Sequence, residues 1–114
     1  MKVLEFYGIF LHIKMIEGSD DMTAYLIIYS CRGHANKFKT VDAAIKECAW
    51  DDRWMYHLNN TWILKSEMTS DEIGHKLNHL TNDNDDFLVI EITNNYAGWL
   101  PQQALDFLST YIFD

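Results

Sequence analysis

The stretch that decides the fold runs from Arg53 to Ser66 and reads Arg-Trp-Met-Tyr-His-Leu-Asn-Asn-Thr-Trp-Ile-Leu-Lys-Ser. Aromatic residues alternate along its first half, at Trp54 and Tyr56, and an extended apolar run fills its second half. The Asn59-Asn60 pair between the two halves supplies residues that tolerate a positive φ. Alternation interrupted by such a turn predicts a β-hairpin, although Asn-Asn leaves the turn type open.

The chain has the size and composition of one globular domain. It contains 114 residues, of which 48% are hydrophobic and 14% aromatic, so there is enough apolar side chain for a core. Its formal net charge is -8, which disfavours nucleic-acid binding because neutralising phosphates requires clustered Lys and Arg. A basic patch created by dimerisation remains the alternative, so nucleic acid stays an open partner class.

Cysteine content and hydropathy indicate the compartment. Cys31 and Cys48 are too few for a disulfide framework and lack zinc-site spacing, so we expect two reduced thiols, with Cys48 on a core face. No stretch reaches the roughly 18 consecutive apolar residues of a membrane span, and the N-terminus lacks the cleavage site of a signal peptide. We therefore expect a cytoplasmic protein with no membrane segment.

Residues 1–21 are set apart from the rest. Residues 1–16 are rich in apolar, β-forming residues, and a polar linker, Glu17 to Asp21, follows them. Two interpretations stay open. Residues 1–21 form an extra edge strand or dimer-swapped arm, or Met22 is the native start of the domain.

From Met22 onward, the hydrophobic periodicity predicts strand, helix, strand, strand, helix, strand, helix. Besides the hairpin, the predicted ranges are a strand at 23–29, a helix at 37–50, a helix at 71–80, a strand at 87–93 and a helix from Pro101 to about residue 112. Thr69 and Glu72 have the spacing of a capping box at the start of the second helix.

This order predicts an α+β fold: a ferredoxin-like βαββαβ sandwich over residues 22–114, with an extra C-terminal helix and an N-terminal strand or arm over 1–21. Helices on one sheet face leave the other to be covered by the last helix, the N-terminal strand or a second subunit. Outward-facing aromatics would otherwise form a large apolar patch. We therefore expect a homodimer with Trp54, Tyr56 and Trp62 at its interface. Base stacking by Trp50, Trp54, Trp62 and Trp99 is the less favoured alternative, because the nine basic residues of the chain are scattered.

Four pieces of the sequence carry a family resemblance. They are the strand from Met22 to Tyr29, the hairpin from Trp54 to Ser66, the Ser-x-Glu-Ile helix start at Ser70, and the strand from Asp86 to Thr93 with Trp99 after it. On these, residues 22–114 resemble the small ferredoxin-like proteins related to the CRISPR-associated Cas-two subunit, especially stand-alone bacterial members. The resemblance implies the fold and a homodimer.

One position departs from that family. The first strand of the family typically ends in Tyr-Asp, and the paired aspartates of a dimer are proposed to hold a divalent metal for phosphodiester cleavage. Ser30 occupies the matching position here, and a serine hydroxyl is a weak ligand for Mg²⁺. We therefore lean against catalysis and expect no cofactor. Mg²⁺ or Mn²⁺ would be needed only if another carboxylate, such as Asp52 or Glu91, replaced the missing one.

Other chemistry-bearing residues give weak signals. The candidate catalytic residues are Ser30, His34 and Asp52, and a Ser30/His34 general-base pair lacks an oxyanion motif. His75 and His79 have the i, i+4 spacing of metal ligands but lie opposite the apolar stripe of their helix, which favours two solvated histidines.

The favoured function is thus a non-catalytic binding or regulatory module, with a protein partner among its targets. The alternatives are a metal-dependent endoribonuclease, such as a toxin resembling virulence-associated protein D, and an acidic nucleic-acid-mimic inhibitor.

Overall fold

The computed structural model describes residues 22–31, 35–82 and 85–114, which form an α+β domain with a four-stranded antiparallel sheet and three helices. In chain order the elements are β1 (Thr23–Ser30), α1 (Ala35–Cys48), a 3-10 turn (Trp50–Asp52), β2 (Trp54–Tyr56), β3 (Thr61–Ser66), α2 (Ser70–Asn78), β4 (Asp86–Ile92) and α3 (Gln102–Phe107), which continues as a π-helical turn (Leu108–Ile112). The predicted N-terminal arm, 1–21, and His34 lie outside the described residues.

The sheet has the strand order β2-β3-β1-β4, and every neighbouring pair is antiparallel. β1 is therefore an inner strand, as its apolar character on both faces predicts. The register places Leu26 between Ile63 of β3 and Ile90 of β4. Because successive strand residues alternate between faces, this register also assigns each strand position to one of the two sheet faces.

Helices α1 and α2 cover one face and form the main core with it. Val41 and Ile45 of α1, and Ile73 and Leu77 of α2, are fully buried against β1 and β3. Their spacing is the i, i+4 spacing predicted from the sequence, so both predicted apolar stripes are confirmed.

Helix α3 lies on the opposite face, where it forms a second, smaller core. That core contains Met55, Ala104, Phe107, Leu108, Tyr111 and Ile112, with Ala24 and Ile63 packed at its edge. The predicted extra C-terminal helix is thus confirmed. The strand residues that it contacts belong to β2, β3 and the start of β1.

The hairpin forms where it was predicted. Asn60 adopts a left-handed conformation with φ 56°, and the Thr61 N–H donates to the Leu58 carbonyl at 3.1 Å to close the turn. β2 is only three residues long, because pairing with β3 ends at Tyr56.

The helix boundaries differ by a few residues from their predicted positions. α1 ends at Cys48 rather than residue 50, and the chain then reverses through Asp51 and Asp52, which are left-handed with φ 51° and 59°. The predicted capping box of α2 is confirmed. The Glu72 N–H donates to Thr69 Oγ1 at 3.1 Å, and the Thr69 N–H donates to Glu72 Oε1 at 2.8 Å.

We predict that Asn60→Gly stabilises the protein by about 0.5–1 kcal/mol, because glycine adopts the left-handed conformation without the Cβ clash that asparagine retains. Asn59→Gly is the matched control. Asn59 lacks a positive φ, so glycine there adds only unfolded-state freedom and lowers stability slightly. Urea denaturation of both variants measures the difference, and equal effects would contradict the turn geometry.

Candidate binding surface

Ser30 and Asp52, the two described residues among those proposed for catalysis, do not come together. Ser30 is exposed at the end of β1 and lies opposite Asp86 of β4. Asp52 precedes β2, and its Oδ1 accepts a hydrogen bond from Trp54 Nε1 at 2.7 Å. Because Trp54 and Tyr25 both align with Leu64, Asp52 lies beyond the opposite end of the sheet, roughly 20 Å from Ser30 along the strand direction.

Asp52 and Glu91, the carboxylates considered as replacements for the metal-binding aspartate of the family, are also far apart. Glu91 aligns with Tyr25 on the edge strand β4, whereas Asp52 adjoins the other edge strand, β2. Three strand spacings, about 14 Å, separate those edges. Within the described ranges, no group of three or more His, Cys, Asp or Glu side chains is placed to hold a metal ion.

The environments of the two cysteines favour the protonated thiol over the thiolate. Cys48 is buried, as predicted, and its Sγ donates to the Ala44 carbonyl at 3.3 Å. Burial raises the pKa of the Cys48 thiol and that of the half-buried Cys31. A raised pKa lowers the thiolate fraction, so neither cysteine is activated as a nucleophile.

The three aromatics predicted at a dimer interface pack on the helix-covered face. Trp62 is 3% exposed, and its ring centroid lies 5.4 Å from that of Trp54 and 4.8 Å from that of Tyr56. Lys46 of α1 caps the group, with its Nζ 4.8 Å from the centroid of the Trp54 ring. Trp62 therefore contributes to the core, and Tyr56 presents the most exposed ring of the three.

Asp42 holds this aromatic group in place. Its Oδ1 accepts a hydrogen bond from Trp62 Nε1 at 3.2 Å and another from the Tyr29 hydroxyl. Burial is the main cause that raises the pKa of Tyr29, and the neighbouring Asp42 carboxylate adds to it. The Tyr29 hydroxyl thus stays protonated and serves as a hydrogen-bond donor.

Within the described ranges, several large apolar side chains are exposed on the other face of the sheet, beside α3. Ile28 is 45% exposed, Leu88 56% and Ile90 40%, and the register places Ile28 directly opposite Leu88. Leu26, next to Ile90, continues the row towards α3. We call Leu26, Ile28, Leu88 and Ile90 the open face.

A groove adjoins the open face. It has a volume of about 600 Å³ and lies between Leu26 and Ile63 of the sheet, the loop after β4, and Leu105 of α3. The loop carries Trp99, which is 99% exposed at the edge of the groove. An indole that is fully in water lacks the packing that makes a buried tryptophan favourable, so Trp99 and the groove add to the exposed apolar surface beside the open face.

Charged residues connect the sheet to the end of the chain that follows α3. Arg53 is 2% exposed, its Nη1 donates to the Tyr111 carbonyl at 3.0 Å, and its guanidinium lies 4.6 Å from the centre of the Tyr111 ring. Lys65 on β3 forms an ion pair with Asp114 at 2.7 Å. We call these two connections the basic clamp.

Burial shifts the pKa of Arg53 in the clamp, but the guanidinium keeps its positive charge. Desolvation lowers the pKa of Arg53 to about 10, although Asp114 and Asp51 oppose the shift. The guanidinium therefore remains cationic at neutral pH. Burial raises the pKa of Asp51, and Arg53 partly offsets that rise.

We did not identify the open face from the sequence, although a signal was present. The run Phe87 to Ile90 is apolar at four consecutive positions, which places two apolar side chains on each face of β4. An edge strand of this kind requires a cover on both faces. The interface prediction rests instead on the aromatic residues of the hairpin, and it stays a prediction.

Comparisons of this chain with protein-family models, curated proteins and solved structures give no match. Among the described residues, no helix has both the length and the apolar character needed to cross a membrane.

We predict that Lys65→Met lowers the free energy of unfolding by roughly 1–3 kcal/mol, because it removes an ion pair whose two side chains are only 6% and 18% exposed. Lys76→Met is the matched control. Its ion pair with Glu47, at 3.0 Å, is far more exposed, so the expected loss is below about 1 kcal/mol. Thermal and urea denaturation measure both variants, and equal losses would contradict a role for the clamp.

Proposed function

We propose that this protein is a small Cas-two-like homodimer that acts as a binding or regulatory module without efficient nuclease activity. The proposal includes a ferredoxin-like topology. Antiparallel strands in the order β2-β3-β1-β4, with α1 and α2 together on one face, support that topology. The sequence resemblance from Met22 onward supports the family.

The single observation that carries the proposal is the open face. Ile28, Leu88 and Ile90 are adjacent, apolar and 40–56% exposed on a sheet whose opposite face is covered by two helices. A contiguous apolar patch of this kind usually marks a protein–protein contact. A two-fold axis through the patch would bring the same residues of two copies together, which is the commonest form of homodimer.

The separation of the candidate catalytic residues supports a binding role. Ser30 and Asp52 lie at opposite ends of the sheet, and Glu91 lies on the edge strand away from Asp52. Groups this far apart in one copy do not act on one phosphodiester bond, since general acid–base chemistry requires hydrogen-bond distances to the reacting group.

We predict that the wild-type protein is a dimer at micromolar concentration and that Leu88→Asp raises the dimer dissociation constant at least ~100-fold, because two carboxylates would be desolvated at the interface. Sedimentation velocity over a concentration series measures the constant. Ala43→Asp, on the exposed side of α1, is the control and leaves the constant unchanged.

Circular dichroism of each variant shows that a loss of dimer is not a loss of fold. Leu88→Lys provides a second charged variant of opposite sign with the same expected effect. A folded wild-type protein that stays monomeric throughout the micromolar range would overturn the homodimer.

The nuclease alternative has its own test. We expect no Mg²⁺- or Mn²⁺-dependent cleavage of labelled single-stranded RNA or double-stranded DNA by the folded wild-type protein. Cleavage that disappears in Asp52→Ala or Glu91→Ala would establish a relocated metal site and replace the binding-module proposal. Cleavage that persists unchanged in both variants would point to a contaminating nuclease.

A further inference from the structure

Two histidines lie one helical turn apart on the solvent side of α2. The Nε2 atoms of His75 and His79 are 3.2 Å apart, and their rings meet edge-to-face at 86° with centroids 4.6 Å apart. Both side chains are exposed. α2 covers the sheet face opposite the open face, so the pair is separate from the proposed dimer surface.

The nitrogen separation matches the requirement of a single metal ion. Zinc binds imidazole nitrogen at about 2.0–2.1 Å, so two imidazoles on one ion at an angle of about 90–110° have their nitrogens about 2.9–3.4 Å apart. The observed 3.2 Å falls in this range. The helix backbone holds the two side chains on neighbouring turns.

The local charges favour a cation at this position. His79 is the C-cap residue of α2, where the helix dipole presents its negative end. The neighbouring Lys76 is paired with Glu47 at 3.0 Å, which offsets its positive charge. The chain as a whole has a formal net charge of -8.

We propose that His75 and His79 form a two-histidine site for a divalent transition metal of the Zn²⁺, Cu²⁺ or Ni²⁺ class. Imidazole nitrogen suits these ions, whereas Mg²⁺ and Ca²⁺ prefer oxygen ligands. Since the described residues place no third His, Cys, Asp or Glu ligand in a cluster, water or a ligand from another molecule completes the coordination. The site is therefore open and exchangeable, unlike a closed four-ligand structural zinc site.

Calorimetric titration of the untagged full-length protein with ZnCl₂, and separately with CuCl₂, tests the site. The expected result is one ion per chain, with Cu²⁺ bound more tightly than Zn²⁺ and no response to MgCl₂. His75→Gln and His79→Gln each raise the dissociation constant at least ~10-fold, because either change removes the chelate. His57→Gln, an exposed histidine of the hairpin, is the control and changes nothing.

The double variant His75→Gln/His79→Gln separates a chelate from two independent weak sites. For a chelate, the double variant binds little worse than either single variant, since each single change has already removed bidentate binding. Electron paramagnetic resonance of the Cu²⁺ complex should show coupling to two nitrogens in the wild type and to fewer in each variant. Circular dichroism confirms that α2 remains folded, as expected for exposed positions.

Zinc and copper binding that survives in the double variant would overturn the site, and so would wild-type dissociation constants weaker than ~1 mM for both ions. Additive, half-stoichiometric losses in the single variants would show two separate histidines rather than one site. None of these results bears on Leu88 or the dimer, so this proposal and the proposed function stand or fall separately.

Discussion

The constraint on which the rest of the structure depends is that the central sheet is apolar on both faces. Tyr25 and Ile27 of β1 point towards α1 and α2, while Leu26 and Ile28 point away from them. A sheet of this kind needs two covering layers, because each uncovered apolar square ångström costs about 25 cal/mol. Helices α1 and α2 supply the first layer completely, whereas α3 supplies only part of the second.

The partial second layer is positioned by charge as well as by apolar packing. Arg53 and Lys65 emerge from the hairpin region and hold the end of α3 through Tyr111 and Asp114. α3 lies over β2 and β3, so among the described residues the β4 side of the face has little cover. The groove, the open face and the exposed Trp99 all follow from where the clamp places one short helix.

The sequence was sufficient for those features that depend on local patterns. The apolar stripes of α1 and α2, the Thr69 capping box and the Asn60 turn all come from short-range spacing, and all were predicted. The distribution of exposed apolar side chains was harder to predict, because it depends on which sheet face each aromatic joins. The sequence alone does not show which sheet face Trp54 and Trp62 occupy. The register of β2 and β3 with β1 places both on the face that α1 covers. The 3.2 Å separation in the histidine pair likewise depends on rotamers that sequence does not determine.

The clamp also has a consequence for the order of folding. Its contacts join Arg53 to Tyr111, 58 positions later in the chain, and Lys65 to Asp114, 49 positions later. Every strand and the helix-side core are already complete by Ile92. In a chain made from its N-terminus, the sheet can therefore assemble while Met55 and Ile63 still face water. A nascent or partly unfolded molecule exposes the second face, and docking of the last helix buries the part of it around Met55 and Ile63.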